Sequence, residues 1–287
     1  MAAHQSTGAD EVPPTLYPDA TWRLIVDGEA DGATNMAVDE AIMASVVKGV
    51  SPPTLRFYAW SPPCLSLGRS QPLTDVDQTA CRAAGVDVVR RPTGGGAILH
   101  TDELTYSVAV LQSDARAAGG VLESYRRLSE GLLAGLWVLG VDAEQAAGQR
   151  GGAKRHAPVC FEVPSAYEIV VDGCKLVGSA QWRGRGGVLQ HGSVPLEGDL
   201  GRIVDYLAFS QAERERQRQA VRARATTLEE TLGRALPFDL VAQALAQGFG
   251  RVLRVKLVPG RLSEDERSLA AELRRERYTA SRWIDPA

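Results

Sequence analysis

The sequence predicts an α+β (mixed α/β) fold: a mixed, largely antiparallel sheet with flanking helices, followed by a helical C-terminal portion. Three observations point there. Strand-like segments cluster rather than alternating one for one with helices, which argues against a doubly wound parallel sheet. Asp172-Gly173 joins two strand-like runs, the turn chemistry of a hairpin. The chain beyond about residue 200 carries helix signals with only one short β-rich stretch.

The elements follow in order. Residues 1–20 have Ala, Pro and polar content and read as a flexible lead-in, without the basic start and apolar core of a secretory signal. Residues 35–48 form an apolar-rich helix with Thr34 or Asn35 as its cap. Residues 54–60 (TLRFYAW) are a strand, and CLSLG after Pro62-Pro63 is a second, shorter one. A helix over 74–84 stops at Gly85, and the strand 86–91 runs into PTGGG. Residues 97–100 and 104–111 look like the arms of a hairpin. Tyr125, Leu128, Leu132, Leu133, Leu136 and Leu139 recur at steps of three and four, so 124–139 is an amphipathic helix. Residues 144–158 hold no large apolar side chain and read as a mobile surface loop. The 167–171/174–181 hairpin and a strand at 188–196 come next, then a helix at 211–224. Thr226/Glu229 and Ser263/Glu266 have capping-box spacing, and 255–258 is a last strand. The predicted organisation is the lead-in, a catalytic domain over 21–225, and a mainly helical extension over 226–287 packed on it.

Composition excludes several classes. Thirty-two basic and 35 acidic residues give a net charge of −3, against bulk coating of nucleic acid. No apolar run is long enough to span a membrane. Four cysteines, none in a C-x-x-C pair, are too few for a disulfide scaffold and point to free thiols in a reducing, cytoplasmic setting. Phosphate-loop, dinucleotide, nucleophile-elbow and zinc-helix motifs are missing. The four histidines lack metal-ligand spacing, so no metal site is expected.

Two segments carry chemistry. In Arg90-Arg91-Pro92-Thr93-Gly94-Gly95-Gly96, two arginines end a strand and three glycines follow. Glycine admits a ligand close to the backbone, and arginine offers planar donors to phosphate or carboxylate. The plain alternative is a tight turn with two exposed arginines. Cys160 lies between Pro158 and Pro164; it is either a small packing residue or a nucleophile. A thiol of ordinary pKa is only a few per cent thiolate at pH 7. Lowering that pKa by about 1.5 units would make it half thiolate; Lys154, Arg155, His156 or Lys175 are near enough in sequence to act. Lys175 is either a solvated hairpin lysine or part of a site, with Val177 and Ser179 on its face and Gly178 and Ala180 on the other. His100 and His191 are either satisfied strand histidines or pocket members. Cys64 and Cys81 look like packing residues, and Cys174 is the second candidate thiol.

Taken together, WRLIVDGEADGATNMAVDEAIM, RRPTGGGAILHTDELTYSV, VCFEVPSAYEIVVDGCKLVGSAQ and VLQHGSVPL resemble the biotin and lipoate protein ligase superfamily, over about residues 22–200. Within it the chain is most similar to the cysteine-dependent octanoyltransferases that take octanoate from acyl carrier protein. The resemblance implies that family's mixed, largely antiparallel sheet, with Cys160 as nucleophile and Lys175 as its catalytic partner. It implies substrate contacts from Arg90, Arg91, Thr93, Gly94, Gly95, Gly96, His100, Gly178, Ser179, Ala180, Gln181 and His191. The implied reaction needs no cofactor, neither ATP nor metal, because phosphopantetheine arrives on the carrier. The implied partners are octanoyl-acyl carrier protein and a lipoyl-domain acceptor, such as glycine-cleavage H protein or a 2-oxoacid dehydrogenase E2; nucleic acid and membrane are not. A tail tunnel lined by Leu65, Leu67 and Val108 is expected, and docking of acidic partners by Arg150, Lys154, Arg155 and the arginines of 214–224. Gly96, which makes the loop GGGA, is shared with ATP-dependent lipoate ligases. That reading, a lipoyl-domain amidotransferase and a non-catalytic lipoyl-binding module are the alternatives.

Overall fold

The computed structural model describes residues 17–146 and 168–285. Strand β1 (Ala20–Ala30) leads into helix α1 (Gly32–Val47). The cap of α1 is Asp31, whose carboxylate accepts the Thr34 amide at 2.8 Å. The helix therefore starts before the expected Thr34 or Asn35, because an acidic side chain already satisfies its first-turn amides. Strands β2 (Thr54–Trp60) and β3 (Cys64–Leu67) follow. Helix α2 (Gln78–Ala84), capped by Asp77, starts four residues later than expected, and a 3-10 turn at Leu73–Asp75 precedes it. Gly85, at φ 66°, ends it in the left-handed conformation that glycine favours.

Strands β4 (Asp87–Arg90), β5 (Ile98–His100) and β6 (Glu103–Leu111) come next. Residues 97–100 and 104–111 do not form the predicted hairpin. Both edges of β6 are taken, by β2 and by β10 (Gly187–Pro195), so β5 has no ladder there. It pairs antiparallel with β3 instead, Cys64 opposite His100. Helix α3 (Val121–Val138) carries the predicted apolar stripe. Glu144–Gln145, expected in a loop, form β7 against β8 (Ile169–Val171). Residues 147–158 of that loop lie outside the described residues. Asp172 and Gly173, at φ 49° and 77°, make the predicted turn into β9 (Cys174–Gly184). The remainder is α4 (Gln211–Arg222), α5 (Leu228–Leu232), α6 (Phe238–Val252), β11 (Val255–Pro259), α7 (Glu264–Leu273) and α8 (Ser281–Ile284).

Eight strands form one sheet in the order β11-β1-β2-β6-β10-β9-β8-β7, and β4-β3-β5 form a second. Only β11-β1 and β1-β2 are parallel in the large sheet, so the sheet is mixed and largely antiparallel as expected. One face is covered by α3 and α6. Their axes meet closely at glycines: a Cβ on Gly248 would sit 2.2 Å from the Gly135 nitrogen. Leu104, Tyr106, Val108 and Val110 of β6 point into this apolar core with Leu128, Leu132 and Phe249. The other face lies under α1.

Residues after 225 join these layers, through β11 at the sheet edge and α7 against α1. The α5 capping box is Thr227/Glu230, one residue later than expected, because the Thr226 amide still donates to the Lys175 carbonyl at 3.0 Å. The Ser263/Glu266 box of α7 forms as expected.

Candidate active site

Strand alternation sends a second set of side chains to the α1 face, and these are polar yet buried. Arg56 and Tyr58 of β2, Glu103, Thr105 and Ser107 of β6, and His191 and Ser193 of β10 all lie there. Asp39 of α1 gathers several of them. It accepts from Arg56 Nη1 and Ser107 Oγ at 2.8 Å and from the Tyr58 hydroxyl at 2.9 Å. Its other neighbour is His191, Nδ1 lying 3.6 Å from Oδ2. Burial opposes ionisation of Asp39, but the neighbouring His191 ring and the charge of Arg56 outweigh it and hold the carboxyl below its ordinary value. Burial pulls the His191 imidazole below its ordinary value, against Asp39, so the ring is held neutral.

His191 also touches the glycine loop, its Nε2 being 2.7 Å from Thr93 Oγ1. Arg91 shapes that loop from within. Its guanidinium donates to the carbonyls of Ser66, Gly94 and Gly96 at 2.7–2.9 Å. Gly95 takes φ 98° and packs so tightly on Gly68 that a Cβ there would lie 1.9 Å from the Gly95 oxygen. A second network adjoins the loop. His100 stacks on Trp60, with ring centroids 3.9 Å apart. Its Nδ1 faces Glu103 Oε1 at 2.7 Å and its Nε2 faces Ser66 Oγ at 2.7 Å. Ser193 and Thr105 donate to the same Glu103 oxygen.

These networks enclose a small cavity of about 20 Å³, bordered by Met36, Trp60, Ile98, His100, Ala180 and His191 among others. Arg91, Gly178 and Ser179 also border it. The structure thus brings together six of the predicted contacts: Arg91, His100, Gly178, Ser179, Ala180 and His191. Thr93, Gly94 and Gly96 join through the hydrogen bonds above. Gly178 and Ala180 stand opposite Ser193 and His191. The Ser179 side chain turns to the apolar face, where Tyr106 donates to it at 2.7 Å. Gln181 faces the same way, bonded to Gln190 and Ser124, away from the cavity. Arg90 is likewise not a cavity contact. Its guanidinium donates to the carbonyls of Gly68, Gln71, Trp283 and Ile284. The predicted tail contacts Leu65, Leu67 and Val108 also point elsewhere, into two apolar clusters, because alternation gives the cavity side to Ser66.

Lys175 is fully buried, and its ammonium donates to Glu168 Oε1 at 2.6 Å. It is not among the cavity-bordering residues and precedes Gly178 by three positions on β9. A bulge separates them: Ile169 faces Val177 whereas Val170 faces Lys175, leaving Leu176 extra. Faces counted by simple alternation from Lys175 therefore fail beyond it. Cys160 lies outside the described residues, as do Arg150, Lys154 and Arg155. Burial pushes the Cys64 thiol well up and the Cys81 thiol to about 11, consistent with packing roles. Cys174 is half-buried, its Sγ 3.9 Å from the Ala223 carbonyl.

The arginines of α4 are mostly engaged within the chain. Arg214 pairs with Asp77, the cap of α2, and Arg218 and Arg222 pair with Asp205 and Asp199 in the segment before α4. A larger open depression of about 810 Å³ lies at the Leu196 end of the sheet. Its rim carries Asp27, Glu29, Asp102 and Glu197, which suits neither an acyl tail nor an acidic protein. Sequence reasoning missed Asp39, Trp60, Glu103 and Glu168. Asp39 and Trp60 act through partners distant in sequence; Glu103, three residues from His100, and Glu168, seven from Lys175 across the predicted hairpin, had a local signal.

A family model, the lipoyl protein ligase A/B catalytic domain, matches residues 31–250. The octanoyltransferase LipM of Moorella thermoacetica is 45% identical over 270 residues, 93% of this chain and 98% of that protein. Its counterpart from Kyrpidia tusciae is 46% identical over 269 residues, 92% and 98%. Among solved structures, a bi-partite lipoate protein ligase of Thermoplasma acidophilum, described with its E2 lipoyl domain, superposes with a TM-score of 0.78 at 25% identity, covering 92% of this chain and 96% of that one. A lipoate-protein ligase A bound with ATP gives a TM-score of 0.74 at 25% identity, with 93% and 98% covered.

Proposed function

The chain belongs to the lipoyl protein ligase A/B catalytic-domain family, and from that premise we propose that it is an octanoyltransferase of lipoate biosynthesis. The observation that carries this is the 45–46% identity to octanoyltransferases along nearly the whole chain. The buried cavity beside the Arg91–Gly96 loop suits an acyl group. Its hydroxyls and imidazoles bond to one another, which leaves the Trp60 ring, Met36, Ile98 and Ala180 to face a tail. The cavity as it stands has room for about one water, so the tail enters as side chains move aside; Met36 is the adaptable wall. Burying eight carbons gives roughly 6 kcal/mol of gross binding.

The reaction has two steps. The Cys160 thiolate attacks the octanoyl thioester of acyl carrier protein, and the phosphopantetheine thiolate leaves and takes up a proton. The lysine amine of a lipoyl domain then attacks octanoyl-Cys160, loses a proton and forms the amide, and the Cys160 thiol is regenerated. The donor thioester is already activated, so neither ATP nor metal enters the balance. Lys175, paired with Glu168 at 2.6 Å, is the group assigned to favour the thiolate and polarise the carbonyl. Loop amides at Gly94–Gly96 hold the oxyanion. No helix among the described residues is long and apolar enough to cross a membrane, and we place the reaction in the cytoplasm.

The test is transfer from purified octanoyl-carrier protein to a lipoyl domain, with and without ATP. Octanoylation of the acceptor without ATP is expected. Octanoylation only from free octanoate plus ATP would instead make the chain an acyl-adenylate-forming ligase.

A further inference from the structure

Arg90 is 1% exposed, yet its hydrogen-bond partners among the described residues include no carboxylate. Nη1 donates to the carbonyls of Gly68 and Gln71 at 2.8 and 2.6 Å, and Nη2 to that of Ile284 at 2.6 Å. Nε reaches the carbonyls of Trp283 and Ile284 at 3.0 Å. The indole of Trp283 returns a bond to the Arg90 carbonyl at 2.9 Å. Burying a guanidinium is costly unless its geometry is needed. Here its fork ties together three segments that no shorter side chain would reach. The C-terminal partner is itself anchored. Arg277 lies 3.7 Å over the Trp283 ring and donates to Glu40 of α1 at 2.5 Å, and the Tyr278 hydroxyl donates to the same carboxylate at 2.6 Å.

The other end of this clamp reaches the cavity. Gly68, held by Arg90, packs against Gly95. The Arg69 amide donates to the Thr93 carbonyl at 2.8 Å, and the Thr93 hydroxyl meets His191. Arg91, the next residue, bonds the loop carbonyls directly. We propose that Arg90 and the C-terminal strap over residues 274–284 are positioning elements that set the acyl-pocket loop, residues 91–96. The proposal rests on the octanoyltransferase reading for its rate effect alone; the mechanical coupling stands apart from it.

Two variants test it: a chain ending at Ala280, which removes α8, and Trp283→Phe, which keeps an aromatic ring for Arg277 and deletes the bond to Arg90. The burst of acyl-enzyme formation from octanoyl-carrier protein gives a rate constant and an amplitude, and the amplitude counts competent sites. Hydrogen exchange is read at the amides of 93–96 and, as reference, 104–111. The shortened chain is expected to lose at least about tenfold in rate constant with its amplitude kept, and Trp283→Phe to fall between. Exchange should rise at 93–96 and not at 104–111. A loss confined to amplitude, or unchanged rate constants in both variants, would overturn the positioning role. If the wild type forms no acyl-enzyme, the octanoyltransferase reading fails, and the exchange comparison still decides the clamp: equal protection at 93–96 in all three proteins would rule it out.

Discussion

The two faces of strand β6 divide the molecule's work. Leu104, Tyr106, Val108 and Val110 enter the core under α3 and α6. Glu103, Thr105 and Ser107, one residue out of phase, enter the polar layer under α1. Both sets are buried. The apolar face gains stability without direction, because hydrophobic burial scales with area. The polar face is held by directed bonds and so fixes geometry beside the cavity. A chain built this way separates what holds the fold from what shapes the site, and that separation can be attacked from either side.

The largest effect is expected at Lys175. Lys175→Ala leaves Glu168 buried without its ammonium, which costs about 3–5 kcal/mol, and removes the group that the proposed mechanism assigns to favouring the thiolate. Acyl transfer per folded molecule should fall about 100-fold or more, read from single-turnover rates alongside denaturant unfolding. A variant as active as the wild type would place the charge elsewhere. On the opposite face, Phe249→Ala empties a fully buried ring site and should cost about 3–5 kcal/mol in urea unfolding. Its single-turnover rate constant should stay near the wild-type value; a matching loss of rate would mean that the two faces are not separable.

The faces should also differ in acid sensitivity. His191 is held neutral in the fold, whereas an unfolded histidine takes a proton near pH 6.5. The unfolded state therefore binds more protons below that pH. Stability falls as pH drops through 6.5, by up to about 1.4 kcal/mol per unit, until His191 itself protonates. His191→Gln should flatten this slope between pH 7 and 5, measured as unfolding free energy; an unchanged slope would assign it to other groups. Asp39, whose carboxyl is held below its ordinary value, extends the loss at lower pH, as its native partners are lost when it protonates. The smallest effect is expected at Thr227, which caps α5 on the apolar side. Thr227→Ala should cost about 1 kcal/mol with no change in transfer rate.

Much of the apolar face was legible in the sequence. The stripe of α3, the Asp172-Gly173 turn and the glycine stop after α2 depend on neighbours within a few residues, where local rules hold. The separation of β5 from β6 was not legible, because it depends on β2 and β10 having already taken both edges of β6. The bulge in β9 hid which residues share a face with Lys175. At the site, the Arg91-to-Gly96 loop and the two histidines stood out by composition. Arg90 looked identical to Arg91 in sequence, yet its guanidinium meets carbonyls about 190 positions away. Asp39 was invisible because its cation, Arg56, lies on another element; Glu168 lies only seven positions from Lys175 across the predicted hairpin and was passed over.

Covalent transfer through Cys160 is the step on which the proposed mechanism depends. Its most direct test is the intact mass of the protein after mixing with octanoyl-carrier protein without ATP, beside Cys160→Ser. One octanoyl adduct is expected on the wild type, removed by neutral hydroxylamine, and none on the variant. An adduct of equal yield on Cys160→Ser, or no adduct on a wild type that still octanoylates a lipoyl domain, would contradict it.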